Sequence, residues 1–168
     1  MKGSELRLIE YMEGSKKRFI IPVYQRNYDW KIENCKQLYD DLIQVIKNNS
    51  KTHFFGSIVS VYEPSGRNTE FLIIDGQQRL TTMSLLFLAM YNLLEEKIII
   101  SEDESLKDQI YEDFLVDKYQ PQEKRMKLKP IKNDQKAFSK LFNSKDDYIK
   151  DSNLTINYSY FYERIQKQ

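Results

Sequence analysis

Ile73-Ile74-Asp75-Gly76-Gln77-Gln78-Arg79-Leu80-Thr81-Thr82 is the stretch that decides how this chain folds. Two β-branched residues close a strand, Asp-Gly makes a tight turn, and a long apolar helix begins at once. Asp75 is placed to cap that helix, with Gln78 three residues later as the capping-box partner. Gly76 permits close approach of another backbone or of a ligand. Capping leaves Arg79 unexplained. A cation in the first helical turn stands where the helix dipole is already positive, and needs an acid or a bound anion to offset it. Free N–H groups, a glycine and an arginine at a helix start are the components of a phosphate site. The competing reading is a capped core helix whose Arg79 pairs with a nearby carboxylate.

A second block, Phe19-Ile20-Ile21-Pro22-Val23-Tyr24-Gln25-Arg26-Asn27-Tyr28-Asp29-Trp30, weighs on that choice. Apolar residues run into a proline, which suits a strand end because proline cannot donate inside a sheet. Planar aromatics, an amide and a guanidinium follow, a mixture able to stack on a base or hold a phosphate. Read alone, the block is better taken as an aromatic corner that seals the core.

The remaining pattern supplies the frame. Helices are expected over 4–13, 32–48, 76–97, 104–116, 133–142 and 155–168, and strands over 18–23, 54–62, 71–74 and 126–128. Strands 54–62 and 71–74, joined by a turn over 63–68, form a hairpin that feeds the Asp-Gly loop. The helix after it is apolar almost all round, so it is buried and holds its N-terminal loop rigidly. Residues 1–100 form the core and 101–168 a mainly helical extension of the same domain, cut from a longer protein. The fold class is α+β, a small mixed sheet with a buried helix.

Read together, "FIIPVYQRNYDW", "HFFGSIV", "FLIIDGQQRLTT", "RMKLKPIKNDQKAFSKLF" and "NYSYFYERI" resemble the N-terminal domain of GmrSD-type restriction proteins. That family is known for its DGQQR motif and is related to the ParB/sulfiredoxin superfamily. The resemblance spans nearly the whole chain. It implies a ParB-like fold, nucleoside triphosphate binding with Mg2+, hydrolysis in some members, and a role in prokaryotic defence against modified phage DNA. By position, Asp75, Gly76, Gln77, Gln78 and Arg79 match the signature loop. Tyr24, Gln25 and Arg26 match the first motif, and His53 and Gly56 the middle one. The catalytic positions implied are Asp75, Gln78 and Arg79. Nucleotide contacts are expected from Tyr24, Gln25, Arg26, His53, Gly56, Gly76, Gln77, Thr81 and Thr82. Relatives often carry a C-terminal HNH-type nuclease domain, through which DNA would be the partner. With one histidine in 168 residues, this chain holds no intact histidine-metal nuclease finger.

Composition narrows the classes. Charged residues are 30% and hydrophobic ones 40%, as in a globular chain. No apolar run approaches the roughly 20 residues of a membrane span, and one cysteine, Cys35, suits a reducing cytoplasm. The net charge of +1 gives DNA binding no bulk electrostatic support. Arg125, Lys127 and Lys129 alternate as one strand face, either a phosphate-facing ladder or a solvated one. No glycine spacing fits a Walker loop and no Cys/His cluster offers zinc. Asp75 would therefore cap the helix, hold a divalent metal or orient water. Three classes stay open: an NTP-binding and NTP-hydrolysing regulatory domain, a module that grips DNA backbone, and a scaffold.

Overall fold

The hairpin expected before the Asp-Gly turn is present as β2 (Val59–Ser65) and β3 (Asn68–Asp75). A computed structural model describes residues 6–49 and 56–168. The hairpin turn is tighter than the 63–68 loop the composition suggests. Glu63, Pro64 and Ser65 stay paired with Glu70, Thr69 and Asn68, and Gly66 takes the turn at φ +63°. Pro64 is tolerated because β2 is an edge strand in the order β2-β3-β1-β4. The central strand β1 (Lys17–Ile20) runs parallel to both β3 and β4 (Leu128–Lys129), with Phe19 opposite Phe71 and Leu128. It ends earlier than expected. Pro22 accepts from the Gln25 N–H and turns the chain away from the sheet.

Six α-helices accompany the sheet among the described residues: α1 (Leu8–Met12), α2 (Ile32–Lys47), α3 (Gln77–Glu95), α4 (Leu106–Ile110), α5 (Lys132–Lys140) and α6 (Asn153–Gln166). The architecture is thus α+β, with β4 from the C-terminal half completing the sheet. Of the 19 residues of α3, 13 are buried, as its all-round apolar pattern requires. It packs mainly against α6 and the α4 segment, where Phe87 stacks on Phe114 at 4.3 Å. The helix expected over 104–116 changes pitch. After α4 the chain widens into one π turn over Tyr111–Leu115, and Val116 bridges to Met126. Cys35 is fully buried, and burial pushes its thiol up to about 12, so it is no nucleophile at neutral pH.

The basic ladder is overturned at its middle residue. Lys127 is only 1% exposed, and its ammonium donates to the carbonyls of Met12 (2.5 Å), Gly14 (2.6 Å) and Asp113. It ties the α1 end to the π turn instead of facing solvent or phosphate. Burial, aided by nearby Lys17, lowers its pKa from 10.5 to about 8. Between those values the unfolded chain keeps a proton that the folded chain has lost, so this group adds stability as pH rises through that window. Unfolding by urea should therefore show the unmutated protein gaining about 2 kcal/mol over Lys127→Met between roughly pH 7.5 and 9.5. Cys35 has the opposite slope and cancels in that difference. Identical slopes in both proteins would remove Lys127 from the titration.

Candidate functional site

Two adjacent parallel strands bring their carboxyl ends to the same sheet edge, where ligands of open α/β sheets bind. Here β1 and β3 are that pair, so the segment after β1 meets the segment after β3. This places Gln25 and Arg26 beside Asp75 to Arg79 across some 50 positions of sequence. Gln25 makes the junction: its amide donates to the Ile74 carbonyl at 3.0 Å and accepts from Gln77 Nε2 at 3.3 Å. A cleft of about 510 Å³ results, lined by Gln25, Arg26, Trp30, Asp75, Gly76, Gln77, Gln78 and Arg79. That volume lies within the roughly 300–1,000 Å³ of small-molecule sites.

The start of α3 differs from a capping box. Gly76 is the N-cap, left-handed at φ +92°, and among the described residues no side chain caps the helix. A Cβ on Gly76 would lie 2.9 Å from the Ser57 carbonyl oxygen, so this position requires glycine on two counts. Because the chain turns there, Asp75 ends β3 and accepts from the Gly76 N–H at 2.9 Å, not from the next turn. Among the described residues, no side chain accepts from the first N–H groups of α3, as an anion site requires. Gln78 does not reach back to Asp75. Its Oε1 accepts from the Asp29 and Trp30 N–H groups (3.0 and 3.3 Å), and its Nε2 donates to the Asn27 carbonyl (3.2 Å).

Arg79 is half-buried, with no acid in its helical turn and no ion pair among the described residues. Gly56, at φ +102°, lies against it: a Cβ there would be 2.8 Å from the guanidinium carbon. Arg26 is exposed and pairs with Asp29 at 3.6 Å, a surface pair of little strength. The lining thus carries two arginines against one aspartate, and the positive end of α3 adds to the cationic side. Asp75 is exposed, and its second oxygen makes no hydrogen bond among the described residues. One carboxylate of this kind, with phosphate oxygens, fits the way Mg2+ is usually held.

Most of the expected residues gather here, but not all. Gln25, Arg26, Asp75, Gly76, Gln77, Gln78 and Arg79 line the cleft, and Gly56 backs Arg79. Tyr24 is 70% exposed and lies outside the lining. Thr81 and Thr82 are buried behind it, and Thr82 Oγ1 is held by the Gln78 carbonyl and the Tyr28 hydroxyl, each at 2.7 Å. His53 lies outside the described residues. Trp30 lines the cleft although it carries no assignment from the motifs. Its signal was its place as the only tryptophan, closing the aromatic block.

Among the described residues no helix is long and apolar enough to cross a membrane, and no cluster of three His, Cys, Asp or Glu side chains could hold a metal. A comparison with curated proteins finds no match. The family model described as "GmrSD restriction endonuclease, N-terminal domain" matches residues 8–168, which takes in both strands of the cleft and every helix around it. The chain belongs to the family of GmrSD restriction endonuclease N-terminal domains.

Proposed function

We propose that this domain binds a nucleoside triphosphate with Mg2+ in the cleft at the α3 start, hydrolyses it, and so regulates a prokaryotic restriction system acting on modified phage DNA. The observation that carries the reading is that Arg26 and Arg79 line one cleft with the start of α3 and the exposed carboxylate of Asp75. Arginine and backbone N–H groups recognise phosphate oxygens. Arg79 would take the triphosphate, Gln77 and Gln25 would hold the adjacent wall, and the exposed carboxylate of Asp75 would hold the metal or orient the attacking water. Bound Mg2+ would neutralise phosphate charge as it develops during transfer. Cutting of DNA is assigned to a nuclease domain outside these residues.

A second reading keeps the same cationic helix start but sets it against DNA backbone without hydrolysis. Exposed Arg26 in the cleft lining, and exposed Tyr24 two positions before it, favour it. Calorimetric titration at modest salt separates the two. ATP, GTP and UTP, with and without Mg2+, should give saturable heat in the first reading. Heat from duplex DNA alone, with none from any nucleotide, would replace it by the second.

A further inference from the structure

Gln78 stands in the signature loop, yet all three hydrogen bonds its side chain makes among the described residues go to the strap formed by residues 27–31. The strap is gripped from three further directions. Asp134 of α5 accepts from the Tyr28 N–H at 2.8 Å, and burial raises the pKa of that carboxyl. Thr82, one turn after Gln78, meets the Tyr28 hydroxyl. From α6, the amide of Asn157 lies 2.9 Å from that hydroxyl and 2.8 Å from the Trp30 carbonyl. Asn157 is wholly buried, and its Oδ1 has no partner among the described residues. Rotating the amide would face oxygen against the Trp30 carbonyl, so the need for a donor there outweighs an unpaired acceptor.

We infer that Gln78 is a positioning residue. It clamps the strap so that Trp30 and Arg26 form a fixed wall of the cleft facing Arg79, and the Tyr28–Asn157 contacts join that wall to α6. The inference rests on the nucleotide reading only for what occupies the cleft. The clamp itself rests on the geometry of Gln78. A preset wall matters because small misplacements of binding groups lose affinity and rate disproportionately. It also means that occupation of the cleft is felt at Trp30, and through it at α6.

Trp30 is the only tryptophan, so its emission reports the wall directly. Gln78→Met keeps volume and removes all three bonds. In the intact chain it should speed hydrogen exchange at the Asp29 and Trp30 amides and shift Trp30 emission to the red. It should also weaken binding of ATP with Mg2+ about tenfold, the scale of one lost buried contact. Gln78→Glu supplies the same acceptor oxygen and should restore protection of the two amides. Arg79→Ala should lose the ligand with Trp30 emission unchanged. Lost affinity in Gln78→Met with unaltered emission and exchange would overturn the inference, because Gln78 would then act on the ligand itself. If Gln78→Met does not fold, exchange in the unmutated protein decides: fast exchange at Asp29 and Trp30 overturns the clamp. If the unmutated protein binds no nucleotide, the nucleotide reading fails, and the exchange and emission results still test the clamp.

Discussion

Arg79→Ala should bind ATP with Mg2+ about a hundredfold more weakly, the loss expected when two charge-assisted hydrogen bonds to phosphate disappear. Its melting temperature should stay within a few degrees of the unmutated value. Both halves follow from where the residue sits. The guanidinium is half-buried over Gly56, forms no ion pair among the described residues, and lies in a helical turn without an acid. Removing a cation from the positive end of a helix relieves an unfavourable interaction, so the fold has little to lose. A ligand with several negative oxygens has much to lose. Hydrogen bonds to charged groups are worth roughly 1.5–3 kcal/mol, which spans about one to two orders of magnitude in affinity. Calorimetry and a thermal melt on the same preparation check it. Undiminished affinity beside a melting point lowered by many degrees would make Arg79 a structural residue and remove the main support of the anion site.

The frame of this site was legible in the sequence because it depends on local signals. Two β-branched residues, an Asp-Gly turn and an apolar helical run require little more than their own order to give β3, the turn and α3. The role of each polar residue was less legible, since one residue type satisfies several geometries. Gln78 fits a capping box by spacing. With Gly76 left-handed, however, the chain turns too sharply for Asp75 to cap, and Gln78 finds the Asn27–Trp30 backbone instead. Lys127 alternates with Arg125 and Lys129 as a surface strand would. What buries it are carbonyls at Met12 and Gly14, more than a hundred positions away, which no local pattern can reveal.

The same contrast separates Gln25 from Tyr24. Both sit after Pro22, where the sequence shows only that the strand has ended. The parallel pairing of β1 with β3 decides that Gln25 reaches Ile74 and Gln77 while Tyr24 stays in solvent. Thr81 and Thr82 show the converse. Their hydroxyls, one turn into the helix, suited either ligand oxygens or the backbone; both residues are buried, and Thr82 Oγ1 donates to the Gln78 carbonyl at 2.7 Å behind the cleft wall. Topology, which adjacency in sequence does not show, decides which of these side chains line the cleft.

Asp75→Asn should leave the protein folded, keep or tighten nucleotide binding, and cut steady-state phosphate release by about two orders of magnitude or more, the usual scale for losing a group that orients a proton or water. The carboxylate does not cap α3; its one hydrogen bond among the described residues is from the Gly76 N–H at 2.9 Å, which an asparagine oxygen accepts equally well. Stability therefore has no reason to fall. What the substitution removes is charge, on the oxygen left free at the cleft. Without that charge a phosphate approaches with less repulsion, so affinity holds or rises. A metal held through the carboxylate, or a water aligned by it, loses its partner, so turnover falls. Hydrolysis should then fall while binding holds or rises, a signature that misfolding cannot imitate. Phosphate release and calorimetry on Asp75→Asn beside the unmutated protein read both. Unchanged release would leave Asp75 as the residue that merely fixes the Gly76 turn, and the hydrolytic role would pass to another group of the cleft.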